Sequence, residues 1–214
     1  MIDLDELEHD ALAELVNMGV GRAATHLSRM IREQVSLSVP SVRVVARDAA
    51  VQALTRSGPS PFVAVSQSFE GRFSGRALLI FPEVNSLELV RAAVGDDHDL
   101  EEIVDLEQEA LTEMGNVILN GCLSVIANAL HESLDISLPS VVRGDGPTVL
   151  LGPVRPEPAA ELVLLLYIDF SVRSRNIRGY LALLMDLPSL NALRELIHRF
   201  ISDISIEARR GPTA

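Results

Sequence analysis

Two short polar ridges carry the residue types best suited to chemistry. Read as helix at about 100° per residue, Asp10, Glu14 and Asn17 project from one face, while Leu12, Leu15, Val16 and Met18 occupy the other. The pattern returns 99 residues later, with Glu109, Glu113 and Asn116 on one face and Leu111, Met114 and Val117 opposite. A carboxamide is no base, but its oxygen can accept a hydrogen bond from water and hold that water in line with an electrophile. A glutamine does this for phosphoryl transfer in GTPases. A carboxylate one turn earlier is suited to gripping a cation on a partner. Neither residue supplies a nucleophile or a metal site, so the remainder of an active site must come from another molecule. The plainer alternative is that spaced carboxylates merely solvate a helix, and it is the better reading of Asp10 or Glu109 taken singly. Asparagine is harder to set aside, because it favours caps and turns over helix interiors. Gly19 allows the first helix to end beside Asn17, but that does not explain why Glu-x-x-Asn occurs twice in the same orientation.

The repetition extends past the ridges. At the same offset, Ser38-Val39-Pro40-Ser41-Val42 pairs with Ser137-Leu138-Pro139-Ser140-Val141. After a shift of about five residues, the apolar run Ala77 to Phe81 pairs with Leu181 to Met185. Two copies are too few for a solenoid. They predict one domain over residues 1–204 with pseudo-two-fold symmetry, built from repeats at about 5–95 and 104–200, followed by a flexible tail at 205–214. Each copy reads as two helices (about 3–18 and 20–33; 102–117 and 119–132) and an extended segment (35–46; 134–142). Two strands follow (61–70 and 74–81; 161–172 and 176–185), then a closing helix (84–94; 187–200). Hairpin-length connections make the sheet antiparallel, so the predicted class is α+β, with helices covering the sheet. Loops are expected at Gly58-Pro59-Ser60-Pro61 and from Gly152 to Pro158, and a solvated linker at Asp96-Asp97-His98-Asp99.

Composition removes several function classes. All 18 basic residues among the 214 are arginine, so lysine-based Schiff chemistry, a phosphate-loop lysine and a Ser-Lys dyad are impossible. The net charge of −12 argues against binding nucleic acid or an anionic membrane. The first residues lack the signature of a signal peptide, and the longest apolar run stops after Ile168. A soluble, cytoplasmic protein is the expectation. Its single Cys122 reads as a packed thiol, the five histidines show no metal-ligand spacing, and Gly19-x-Gly21-x-x-Ala24 follows a helix where a dinucleotide fingerprint would follow a strand.

Asp10-x-x-x-Glu14-x-x-Asn17-Met18-Gly19-x-Gly21-x-Ala23-Ala24, with the second Glu113-Met114-Gly115-Asn116, resembles the two signature helices of the CheC/CheX/FliY chemotaxis phosphatases. The likeness is to the CheC type, which carries both helices in one chain, and covers about residues 5–200. It implies the CheC-like duplicated fold and hydrolysis of phospho-aspartate on a CheY-like response regulator. On that analogy Asn17 and Asn116 position the attacking water, Glu14 and Glu113 dock on the regulator's lysine, and Asp10 and Glu109 contact the partner. Magnesium would reside in the regulator, with no cofactor on this chain. A CheD-like deamidase is a second conceivable partner, and a non-catalytic adaptor is the alternative function. Glu109 stands where the family pattern has Asp or Ser, which leaves open whether the second site is the weaker one. The internal duplication makes a monomer the expected state.

Overall fold

The computed structural model describes residues 4–31, 33–57, 61–95, 99–151, 162–172 and 175–210; most of the expected acidic linker and both proline-rich loops, apart from Asp99 and Pro61, lie outside these. In chain order the elements are α1 (Glu6–Ile31), β1 (Val35–Ala46), α2 (Arg47–Ser57), β2 (Phe62–Gly71), β3 (Gly75–Pro82) and α3 (Glu83–Val94). The second copy supplies α4 (Leu100–Ala129), β4 (Leu134–Ile136), β5 (Ser140–Gly144), α5 (Gly146–Leu151), β6 (Leu162–Val172), β7 (Arg175–Met185) and α6 (Leu187–Arg210).

The first correction is that each copy opens with one long helix and not two. Gly19, which looks like a break in the sequence, is a contact point instead. A Cβ on Gly19 would lie 2.7 Å from Cys122 Cα and 3.0 Å from the Gly121 carbonyl oxygen, and one on Gly121 would lie 3.2 Å from Ala23 Cβ. These bare backbones let α1 and α4 cross closely. Gly115 plays the same part against the sheet, since a Cβ there would sit 2.6 Å from the Val65 side chain. Gly19→Ala is therefore expected to destabilise the protein by about 1–3 kcal/mol through overpacking against main chain that cannot yield, to be read from urea denaturation.

α4 begins with a capping box: the Asp99 side chain accepts from the Glu102 N–H and the Glu102 side chain accepts from the Asp99 N–H. Its Glu101–Ala129 stretch is long and apolar enough, by length and composition, to cross a membrane, but 56% of that window is buried inside the fold, as in a core helix. Two short helices, α2 and α5, arise where the sequence shows no strong periodicity, and α6 runs to Arg210, past the position where a flexible tail was expected.

The described residues form one seven-stranded antiparallel sheet, ordered β1-β6-β7-β3-β2-β4, with β5 also on β2. The two copies interlock: β1 of the first pairs with β6 of the second, and β4 and β5 of the second pair with β2 of the first. Helices follow suit, α6 packing on α1 and α3 on α4. Alternate residues serve two cores. Val63, Val65, Leu79, Phe81, Leu164, Leu166, Leu181 and Leu183 face the layer of long helices, whereas Phe62, Ala64, Leu78, Ile80, Val163 and Leu165 meet α2 and α5. Burial on both faces explains why these strands read as nearly unbroken apolar runs.

Each opening helix is also pinned by a buried carboxylate, at positions again 99 residues apart. Glu8 is fully buried and accepts from Arg194 Nε at 2.7 Å, lies 2.7 Å from His198 Nε2, and accepts from the Asp5 N–H at 2.8 Å. Glu107 accepts from Ser86 Oγ at 2.6 Å and pairs with Arg143. The hydrogen bond to Glu8 raises the Arg194 pKa further. Because Arg194→Met would leave a buried carboxylate with less than its full partnership, a loss of about 2–3 kcal/mol is expected in urea melts at neutral pH. Arg194 is partly exposed, which keeps the figure below that of a fully desolvated pair.

Candidate functional site

The structure places the first ridge on α1 and the second on α4. Asp10, Glu14, Glu109 and Glu113 are exposed, as the helical pattern requires. The asparagines differ from expectation: Asn17 and Asn116 are both half-buried, and each is bonded within the fold.

Asn17 is tied to main chain. Its Oδ1 accepts from the Val39 N–H at 2.9 Å, and its Nδ2 donates to Ala13 O at 3.0 Å and toward Val39 O at 3.4 Å. The reason lies in β1. Ser38 pairs with Asp169 and Ser41 with Tyr167, so β1 carries one residue more than its partner strand over this stretch. Such a bulge interrupts the ladder. Val39, 4% exposed, finds its partners in the Asn17 carboxamide, which stands in for a neighbouring strand.

Asn116 is tied only to side chains. Its Oδ1 accepts from Asn120 Nδ2 at 2.8 Å and from Gln67 Nε2 at 3.1 Å, while its own Nδ2 makes no hydrogen bond among the described residues. Gln67 Nε2 donates as well to Ser137 O at 2.9 Å, linking the asparagine to the segment between β4 and β5. Gln67 Oε1 and Asn120 Oδ1 are buried without a partner among the described residues. Beside this cluster an open depression of about 420 Å³ is lined by Arg22 and His26 from α1 and by Glu113, Asn116, Asn120 and Ser124 from α4. The second ridge thus joins two cationic or proton-accepting groups and several amides around one carboxamide, whereas the first ridge is closed down onto a strand.

The sequence reading omitted Gln67, Asn120, Arg22 and His26. Gln67 carried a usable signal, since an amide within a buried apolar strand must find polar partners. Asn120 carried a second, one helical turn beyond Asn116 on the same face.

Other chemistry is committed to structure. Asp5, Glu8 and His198 are close enough to hold a metal ion, but both Glu8 oxygens already accept hydrogen bonds. Cys122 is buried, and desolvation pushes its thiol pKa up to about 12, so it is not a nucleophile.

Comparison with known proteins agrees with this architecture. A family model described as chemotaxis phosphatase CheX matches residues 63–152, and one described as the CheC-like family matches residues 7–44. The flagellar motor switch phosphatase FliY of Bacillus subtilis is 28% identical over 141 residues, 65% of this chain and 36% of FliY. The CheY-P phosphatase CheC of the same organism is 24% identical over 141 residues, 64% of this chain and 67% of CheC. The crystal structure of Thermotoga maritima FliY superposes with a TM-score of 0.72 at 20% identity, over 93% of this chain and all of the other, so the fold is shared. The duplicated α+β fold is CheC-like, and its two opening helices each carry a Glu-x-x-Asn ridge. The chain belongs to the CheC/CheX/FliY family. It spans about a third of the length of the Bacillus FliY that it matches.

Proposed function

We propose that this chain accelerates hydrolysis of the phospho-aspartate on a CheY-like response regulator, acting in trans and mainly through Glu113 and Asn116. Water attacks phosphorus, the bond from phosphorus to the aspartyl oxygen breaks, and inorganic phosphate and a free carboxylate result. The regulator contributes the phosphoryl group and its magnesium ion. This chain contributes position: the Asn116 carboxamide orients the water, and Glu113, one turn away and exposed, takes the regulator's cationic side chain.

The observation that carries this reading is the unequal tethering of the two asparagines. Swinging Asn116 toward a partner gives up two hydrogen bonds from side chains, at roughly 0.5–1.5 kcal/mol each, and leaves Gln67 Nε2 on the Ser137 carbonyl. Swinging Asn17 strands the buried N–H of Val39. Glu109, which departs from the family pattern, is exposed and takes part in none of the Asn116 hydrogen bonds, so its extra methylene is compatible with the second ridge working. The name CheY-P phosphatase, carried by a relative, supports the substrate class.

The test compares wild type, Asn17→Ala, Asn116→Ala and the double variant for phosphate release from phosphorylated regulators of the same genome. The double variant should show no acceleration while retaining a cooperative melt. Full activity in that variant would end the assignment.

A further inference from the structure

The two copies treat equivalent tripeptides in opposite ways. Ser38-Val39-Pro40 lies inside β1, with Val39 4% exposed and its main chain held by Asn17. The equivalent Ser137-Leu138-Pro139 lies between β4 and β5, and Leu138 is 90% exposed. A lone leucine on a surface needs no explanation. This one differs in what fixes it. Ser137 is clamped to β2 on both sides, its N–H donating to Ser68 O at 2.9 Å and its Oγ accepting from the Ser68 N–H at 2.9 Å. Its carbonyl accepts from Gln67 Nε2, the group that also holds Asn116 Oδ1. Leu138 is therefore presented to solvent on an immobilised main chain, one residue from an atom that shares a hydrogen-bond donor with Asn116.

We infer that Leu138 is the apolar anchor by which the second ridge seats its regulator. This rests on the function proposed above. Any protein that takes Asn116 into its phosphoryl site must cover the ground next to Gln67, and consecutive Cα atoms are only about 3.8 Å apart, which brings Leu138 within that footprint. The matching surface on the regulator is an apolar depression for Leu138 together with a cationic group for the exposed Glu113 of the same ridge. The first ridge has no counterpart, because Val39 is consumed by the core.

The anchor is tested by saturation kinetics with a phosphorylated CheY-like regulator, using Leu138→Ser and Leu138→Met. Leu138→Ser should raise KM roughly tenfold and leave kcat within about twofold, the signature of lost binding that is equal in ground and transition states. Leu138→Met should behave as wild type. Asn116→Ala should show the opposite split, a fallen kcat. If Leu138→Ser leaves KM unchanged while Asn116→Ala loses kcat, the anchor is overturned and the phosphatase assignment stands. Affinity for the same regulator loaded with beryllium fluoride gives a readout independent of turnover. Weakening by Leu138→Ser there upholds the anchor even if wild type shows no hydrolysis, and undiminished affinity overturns it. An unchanged melting temperature is expected for both variants, because the side chain packs against nothing it could release.

Discussion

Asn116→Ala is expected to remove most of the acceleration of phospho-aspartate hydrolysis, by roughly a hundredfold, while changing stability by less than about 1 kcal/mol. The carboxamide can hold a water through both a donor and an acceptor, and alanine offers neither. Its loss does release Gln67 and Asn120 from a shared acceptor, but Gln67 Nε2 keeps the Ser137 carbonyl. The fold should therefore survive. Phosphate release under saturating regulator, paired with a urea melt of the same sample, separates the two effects. A conservative Asn116→Gln should recover little activity, because the added methylene displaces the amide by more than an ångström from any geometry that Asn116 sets.

Asn17→Ala is expected to give the reverse pattern. Removing the carboxamide leaves the Val39 N–H, on a residue 4% exposed, without its acceptor, and the price of an unpartnered buried donor is about 1–3 kcal/mol. For a chain of this size that corresponds to a fall in Tm of several degrees, on the order of 2–4 °C for each kcal/mol. Activity per folded molecule should drop far less than in Asn116→Ala. Hydrogen exchange gives a local check: the Val39 amide should lose protection in Asn17→Ala and keep it in Asn116→Ala. Equal destabilisation by the two substitutions would show that the bulge of β1 does not depend on Asn17.

The contrast between these asparagines also marks where the sequence stopped being informative. The offset of 99 residues exposed the duplication, the two ridges and the paired strands, because helical and extended periodicities survive in both copies. It could not report that Asn17 is bonded to a residue 22 positions away. On a helical wheel Asn17 shares the polar face of Asp10 and Glu14, and whether a residue there meets water or a strand depends on the tertiary packing of β1 on α1. Gly19 misled for a related reason. It lowers helix propensity and reads as an end, but the close approach of Cys122 to it, like that of Val65 to Gly115, needs a missing side chain within a continuous helix. Val39 and Leu138 show the limit most plainly. Their flanking residues are identical, yet one is buried and the other bare, because β1 runs along the length of β6 while residues 134–144 break into two short strands on β2.

The interlocked arrangement has a functional consequence. Since each copy's sheet edge and closing helix are supplied across the pseudo-two-fold axis, neither ridge exists without the other half of the chain. Divergence between ridges is then free to occur at the surface: one asparagine secures the strand beside it, and the other keeps an amide that side chains alone restrain.

Turnover separates a phosphatase from a protein that only binds its regulator. The protein is added at about one-hundredth the concentration of a phosphorylated CheY-like regulator from the same genome, with magnesium present, and phosphate loss is followed over time. The whole regulator pool should be dephosphorylated faster than its own hydrolysis allows, each molecule of this chain acting many times, and Asn17→Ala with Asn116→Ala together should return the rate to that of the regulator alone. A rate unchanged by the wild-type protein, with regulators that demonstrably bind it, would mean that this chain is not a phosphatase for them.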